Sequence, residues 1–408
     1  MKKRIWVVSE LYYPEETSTG YFITGIAEGL ARCHDVNVLC SQPTYSQRGV
    51  RAPAKEQRNG VSIKRCFGST LDKNIIVFRL INLMTISFSL FLNALRCINR
   101  NDHVLMVTNP PLLPFFIALA CRLRSAKCLL IIHDVYPEVM VVTGMIKADS
   151  YSAKFVNYLI RKLYLGVECI IVLGRDMRQL VCEKLAHSES RVVIIPNWGD
   201  INVVKPIPRE KNNQLLTIKL DGQFVIQYSG NIGRTHGLED LLTTALRLKA
   251  EPIHFLIIGS GAKRNLLEQA IQKEGLNNIS LLPRVPRDKL NDSLNACDVA
   301  VISFVADMAG ISVPSRMYNI MAAGKPIIAV AEENSELALV IKEEQIGWVV
   351  PPGDINRFNA AIQEARADSV QLAAKGIRAR RAVEMKYSYE CVIAAYHELF
   401  KNLGKLGA

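Results

Sequence analysis

The stretch Phe224-Val225-Ile226-Gln227-Tyr228-Ser229-Gly230-Asn231-Ile232-Gly233-Arg234-Thr235-His236-Gly237-Leu238 decides the fold. A strand-length apolar run over 224–229 is followed by three glycines, at 230, 233 and 237, and a helical pattern starts at Leu238. Strand, glycine-rich turn and helix in direct succession open a β-α-β unit. The glycines let backbone approach a ligand closely, and a helix N-terminus favours an anion. Arg234 and His236 add donors suited to a diphosphate. The alternative is an ordinary strand-to-helix turn, against which the adjacent basic pair argues.

The same order recurs downstream. A strand over 254–258 leads into Gly259-Ser260-Gly261-Ala262-Lys263-Arg264 and a helix over 264–274. Strands over 279–282, 299–304 and 326–330, with a helix over 315–323, complete a doubly wound unit. Upstream, strands over 4–9, 35–40, 104–107, 128–133, 169–173 and 192–196, and a helix near 20–33, give the same alternation, which implies a parallel sheet covered on both faces. The polar stretch 205–214, with Pro206 and Pro208, reads as a linker.

The fold class is therefore α/β: two Rossmann-like domains facing a cleft, as 408 residues suggest. The expected domains are 1–205 and 206–387. The pattern over 387–404, apolar at 392, 393, 396, 399 and 400, reads as a helix crossing back onto the first, so that 388–408 belongs with it. Ligands of such sheets bind beyond the carboxyl ends of the strands, so the chemistry belongs in the loops that follow them.

The ten cysteines are scattered without a Cys-x-x-Cys pair and read as buried free thiols in a reducing compartment. The net charge of +12 points to an anionic partner: phosphate-bearing substrates, anionic lipid or nucleic acid. Nucleic acid is disfavoured, because zinc-finger spacing, an RNP-like motif and a basic heptad region are all missing. The apolar start of the chain stops before Glu10 and reads as a first strand. The segment 80–95 is uncharged over sixteen residues, against roughly 20 needed to span a bilayer, and reads as a buried or interfacial helix. Lys64, Arg65, Arg96, Arg100, Arg122 and Arg124 lie near this apolar region, either as a solvated surface or as a face for an anionic leaflet.

A third loop reads Ala309-Gly310-Ile311-Ser312-Val313-Pro314-Ser315-Arg316-Met317-Tyr318-Asn319, with Gly324 to cap the helix. Residues 310–313 can present bare backbone N–H groups, Pro314 and Ser315 suit a helix start, and Asn319 looks toward the same cleft. The order of these loops, the stem from Ser315 to Ala329 and Val349-Val350-Pro351-Pro352-Gly353-Asp354 resemble the donor domain of glycosyltransferase family 4. In the first half, Tyr12-Tyr13-Pro14-Glu15-Glu16 with Gly20, Asn109-Pro110-Pro111-Leu112-Leu113-Pro114 and His133-Asp134-Val135-Tyr136-Pro137-Glu138 are similar to the subgroup of bacterial enzymes building colanic acid, capsule and O-antigen, including fucosyl and N-acetylfucosaminyl transferases.

The resemblance implies a GT-B fold and a retaining hexosyltransferase-type enzyme. It would take a UDP- or GDP-sugar to a lipid-linked saccharide, in the cytoplasm and peripherally on the inner face of the cytoplasmic membrane. It implies front-face attack by the acceptor hydroxyl, with the leaving phosphate taking the proton. His133 is then the catalytic candidate, at the donor sugar. Gly230, Asn231, Gly233, Arg234, His236, Gly259, Gly261, Arg284, Ser312, Val313, Ser315 and Asn319 hold the donor, Arg284 near the nucleobase. Glu16 and Gly20 lie on the acceptor side, where Glu15 or Glu16 receives the hydroxyl or is plain solvated charge.

The sequence departs from the family at the paired glutamates, which fall on Ile311 and Asn319. It departs again where the family's Arg and Lys fall on Asn231 and His236, leaving Arg234 as the replacement cation. No Asp-x-Asp at a strand end and no His/Cys cluster is present, so neither a metal nor a cofactor is expected. Two other functions fit the same loops: a nucleotide-sugar epimerase, which needs a proton-transfer pair, and a noncatalytic nucleotide-sugar-binding assembly protein.

Overall fold

The computed structural model describes residues 4–43, 51–72, 75–185, 189–220 and 222–403. Apart from the polar edge strand Lys55–Arg58, its strands are short and rich in Val, Ile and Leu, as strands covered on both sides must be. Those of the first sheet are β1 (Arg4–Val8), β2 (Asp35–Ser41), β3 (Lys55–Arg58), β4 (Val61–Cys66), β5 (His103–Val107), β6 (Lys127–Ile131), β7 (Cys169–Val172) and β8 (Val192–Ile194). They lie in the order β3-β4-β2-β1-β5-β6-β7-β8. The second sheet holds β9 (Phe224–Asn231), β10 (Ile253–Ser260), β11 (Ile279–Leu282), β12 (Val299–Ser303), β13 (Ile327–Val330) and β14 (Gly347–Val350), in the order β11-β10-β9-β12-β13-β14.

Two corrections to the sequence reading follow. The first sheet is not wholly parallel: β3 and β4 form an antiparallel edge hairpin. Its turn is Asn59-Gly60, at φ 46° and 81°, the pairing favoured in two-residue hairpins because both positions need positive φ. The second sheet gains β14, whose residues had entered only through the motif that follows them.

The helix Tyr389–Asn402 returns to the first domain. Val392, Ile393, Tyr396, Leu399 and Phe400 are buried with Ile5, Ile23 and Ile26 in one cluster, each fully buried side chain contributing about 2 kcal/mol. Gly29 makes the approach possible, since a methyl group there would sit 2.7 Å from Ile393 Cδ1. Gly404 onward, expected to continue this segment, lies outside the described residues.

The domains also exchange helix caps. The helix Arg175–Lys184 of the first has no cap from its own N-cap side chain; Glu336 of the second accepts from Arg175 N at 2.8 Å and Arg175 Nε at 2.9 Å. In return, Asp176 Oδ2 accepts from Glu336 N, which starts the helix Glu336–Glu344, and from Gly310 N, both at 2.9 Å. Each helix thus has its positive end answered by an acid from the other domain.

The apolar segment at 80–95 belongs to the longer helix Ile76–Cys97. Ile86, Leu90 and Ala94, four residues apart, are buried in the core. The opposite side leaves Val77, Leu80, Met84 and Phe88 between 47% and 62% exposed. Of the basic residues near it, Arg96, Arg100, Arg122 and Arg124 are exposed. Arg65 is not: it is buried against Glu56 at 2.7 Å and donates to Pro53 O and Tyr13 O. Seven of the ten cysteines are buried free thiols, whereas Cys33 is exposed.

Candidate active site

In the second sheet the chain leaves β9 toward β10 on one side and returns through β12 on the other. The crevice between the carboxyl ends of β9 and β12 is thus the switch point, where α/β sheets bind ligands. Three segments converge there: 230–237 after β9, 259–263 after β10 and 304–316 after β12.

The two glycine-rich loops are stitched together. Ile232 N donates to Ser260 O at 2.9 Å and Lys263 N to Ile232 O at 3.0 Å. Contact this close requires glycine: a Cβ at Gly259 would lie 1.9 Å from Gly230 O, and one at Gly261 2.4 Å from Ile232 O. Gly233 packs on its own loop, where a Cβ would stand 2.8 Å from Asn231 Nδ2. Asn231 and Arg234 are exposed.

The basic groups have different fates. Lys263 Nζ donates to His236 O at 2.9 Å and pairs with Glu239 at 2.8 Å. Arg264 pairs with Glu268 at 3.0 Å and donates to Gly259 O and Leu282 O. His236 stacks on Phe304 with ring centroids 5.6 Å apart. Burial first, then the charges of Arg316 and Lys263, push its imidazole down to about 2. His236 is therefore a neutral donor or acceptor.

Arg316 opens the helix Arg316–Ala322 and reaches back to β9. Its Nη1 donates to Tyr228 Oη at 2.8 Å, its guanidinium lies 4.5 Å from the Tyr228 ring centroid, and a Cβ at Gly230 would be 2.4 Å from Nη1. Nε and Nη2 are shielded and have no partner among the described residues. The sequence reading passed over this residue, although a signal was available: positions 319 and 320, one turn on, are Asn and Ile, so no acid stands within helical reach.

Across the cleft, Val135 N donates to Ile311 O at 2.9 Å and Asp134 forms a bridge with Ser312. Burial raises the Asp134 carboxyl while its hydrogen bond to Ser312 opposes the rise. These contacts bring His133 to the 312–316 segment. Burial pushes its imidazole down to about 4, so it is neutral at pH 7, and its shielded Nε2 has no partner among the described residues. Glu138, by contrast, is tied to Lys184 at 2.6 Å.

The expectation of bare amides over 310–313 fails at two positions. Gly310 N is taken by Asp176, and Ile311 N donates to Met308 O at 3.1 Å. Ser315 does not cap its helix; its Oγ meets Ser18 Oγ at 2.9 Å. Val313 is buried in the first domain's core cluster. Asn319 Oδ1 accepts from Asp200 N at 2.9 Å, and Arg284 Nη2 donates to Glu16 O at 2.9 Å. Gly20 lies against Glu15 at the start of the helix Ser18–Ala31, where Thr17 accepts from its N–H. Among the described residues no group of three or more His, Cys, Asp or Glu side chains converges to hold a metal ion.

Two doubly wound sheets that face each other, each carrying loops at a switch point, define the GT-B architecture. Residues 19–198 match the family model described as glycosyl transferase 4-like domain, and residues 210–382 that of glycosyl transferases group 1. The chain is 31% identical to the glycosyltransferase WbjE of Pseudomonas aeruginosa, covering 94% of each. It is 26% identical to the colanic acid biosynthesis glycosyl transferase WcaI of Escherichia coli K12, covering 89% of this chain and 92% of that one. The structure superposes on Anabaena HepE, solved with UDP and glucose, with a TM-score of 0.76 at 12% identity, covering 98% of this chain and 100% of that one. This chain belongs to the glycosyltransferases, with an N-terminal domain of the 4-like type and a C-terminal domain of group 1.

Proposed function

We propose that this enzyme moves a hexosyl group from a nucleotide diphosphate sugar, with retention of configuration, onto a lipid-linked saccharide during cell-surface polysaccharide assembly. Residues 206–387 take the donor and residues 1–205 the acceptor. The observation that carries the reading is the joining of the two glycine-rich loops at the switch point, with Arg316 reaching onto Tyr228 and Gly230, and the bridge of Ser312 to Asp134, the chain neighbour of His133, whose neutral imidazole has a shielded Nε2 without a partner among the described residues. Charge grows on the departing diphosphate as the bond from the anomeric carbon to phosphate oxygen breaks; preorganised donors there lower the barrier. The acceptor oxygen bonds to the same carbon, and its proton passes to the released phosphate oxygen. His133 Nε2 offers one hydrogen bond to the sugar. The reading assigns no metal ion or cofactor, so chelator should leave turnover unchanged.

The name of WcaI supports a polysaccharide substrate of the colanic acid kind, the resemblance of the first-half motifs makes fucosyl and N-acetylfucosaminyl donors the first sugars to test, and the UDP in HepE makes uridine the first base. Mass spectrometry of the enzyme with lipid-linked acceptors and a library of UDP- and GDP-sugars is expected to show one added sugar unit and a free nucleoside diphosphate. An epimerised donor beside an unmodified acceptor would establish an epimerase instead. Tight donor binding without turnover over the whole panel would establish a noncatalytic binding protein.

The same proposal places the enzyme in the cytoplasm, against the inner face of the membrane. Support comes from the exposed apolar side of the helix Ile76–Cys97 and its neighbours: Leu123 on the helix Leu113–Arg124 and Phe155 on the helix Tyr151–Gly166 are 61% and 62% exposed. Exposed Arg122, Arg124, Lys154 and Arg161 interleave with them, the pairing of apolar and basic groups that favours an anionic bilayer surface. Sedimentation with phosphatidylglycerol vesicles should carry the enzyme down, and Leu80→Glu with Phe88→Glu should release it. Wild-type protein that ignores such vesicles would remove this part of the proposal.

A further inference from the structure

An arginine shielded from water without a counter-ion is costly, because desolvation of its charge is offset only when an anion or several acceptors face it. The cations around the switch point divide sharply on this criterion. Lys263 and Arg264 are neutralised by Glu239 and Glu268 and spend further N–H groups on carbonyls. Arg234 stands exposed on the turn, where water solvates it. Arg316 differs from all three. Two of its nitrogens are shielded and unpartnered, and among the described residues no carboxylate pairs with it. Its acceptor among the described residues is the Tyr228 hydroxyl, itself turned to Asn231 O at 2.5 Å.

We infer that Arg316 is the cation that takes the charge of the donor's diphosphate, held against the Gly230 backbone by Tyr228. The inference rests on the donor-binding reading of this cleft and names the residue within it that answers the leaving group. A guanidinium presents paired N–H donors that match phosphate oxygens, so one side chain can hold a group that two point charges would otherwise share. The close pass of Nη1 over Gly230, where a Cβ would stand 2.4 Å away, fixes the cation beside the first glycine-rich loop. Tyr228 is a positioning residue: its ring and hydroxyl orient Arg316 and need not touch the nucleotide.

The test is titration calorimetry of the full chain with UDP, GDP, the two nucleosides and inorganic pyrophosphate. Wild-type enzyme should bind one nucleoside diphosphate and show a thermal upshift with pyrophosphate alone. Arg316→Gln should weaken the nucleoside diphosphate roughly 10- to 100-fold and leave the nucleoside within about threefold. Arg316→Lys, which keeps the charge and the fold, should fall between, with a steeper loss as salt is raised. Equal weakening of nucleoside and nucleoside diphosphate would assign Arg316 a purely structural part and overturn the inference. So would wild-type affinity in both variants. Should wild-type protein bind neither UDP nor GDP, the donor reading itself fails, an outcome separable from failure of the Arg316 assignment because no variant is involved.

Discussion

The two glycine-rich loops follow neighbouring strands and look alike in sequence, each with glycines, then basic residues, then a helix. Their chemistry differs. The loop after β10 gives its cations to its own structure: Lys263 ties it to the loop after β9, and Arg264 closes over the carbonyls of Gly259, Leu281 and Leu282. The loop after β9 has an exposed arginine, a histidine forced neutral, and a shielded guanidinium supplied from far along the chain. A basic residue after a glycine loop is therefore not by itself a phosphate ligand. What decides is whether the folded protein has already paired it.

The largest effect should come from the seam between the loops. Gly259→Ala would drive a methyl group into Gly230 O, a backbone atom that cannot swing aside, and is expected to cost about 3 kcal/mol or more. Thermal unfolding should show the loss, with nucleotide binding gone as well. Retention of both would mean that the loops are not held together as described.

Gly230→Ala is expected to divide stability from affinity. Here the methyl group meets Arg316 Nη1, the end of a flexible side chain, although φ of 153° strains any side chain at this position, so the fold should lose about 2 kcal/mol, less than at Gly259, while nucleoside diphosphate affinity drops about tenfold. In an Arg316→Gln background the same substitution should cost little further affinity, because coupled residues are not additive.

A third measurement concerns charge. His236 and His133 have folded values near 2 and 4, below the usual 6.5, so the unfolded chain binds more protons once pH drops beneath about 6.5. Their contribution to stability is complete above that pH and is lost as pH falls toward the folded values, by at most about 1.4 kcal/mol per pH unit for each. Denaturation at pH 7.5 and pH 5 checks the trend, and His236→Asn should flatten it. If the His236 ring titrates near 6.5 in NMR spectra of the ligand-free enzyme, it adds a further cation beside Arg234 and Arg316 and the comparison breaks.

The smallest effect is expected at Lys263. Lys263→Met should change nucleoside diphosphate affinity by less than about threefold and stability by about 1 kcal/mol, since the ion pair with Glu239 is largely exposed on the acid's side. A tenfold affinity loss would put Lys263 on the phosphate beside Arg316.

Most strands and three helices of the second domain were legible in the sequence, because apolar runs, glycine turns and helical periodicity are local, whereas the helices Glu336–Glu344, Ile355–Ala367 and Ser369–Lys386 were not read. The helix over 264–274 and the strand over 279–282 were read with the bounds the structure gives. The edge hairpin had a local signal too, Asn59-Gly60, that the alternation of strands and helices obscured. The site was legible as a set of loops but not as a set of roles. Nothing within a few residues of Gly310 says that Asp176 will take its N–H, nor does anything near Asn319 announce Asp200.

By itself, the chain's order of residues determined two doubly wound sheets, loops at the ends of their strands and a terminal helix that returns, since each follows from hydrophobic pattern and backbone permissiveness over short spans. Only the tertiary structure decided which charges are satisfied. Pairing is settled by distance and shielding between groups as far apart as Tyr228 and Arg316, and an unmatched guanidinium exists only once the fold has excluded water around it.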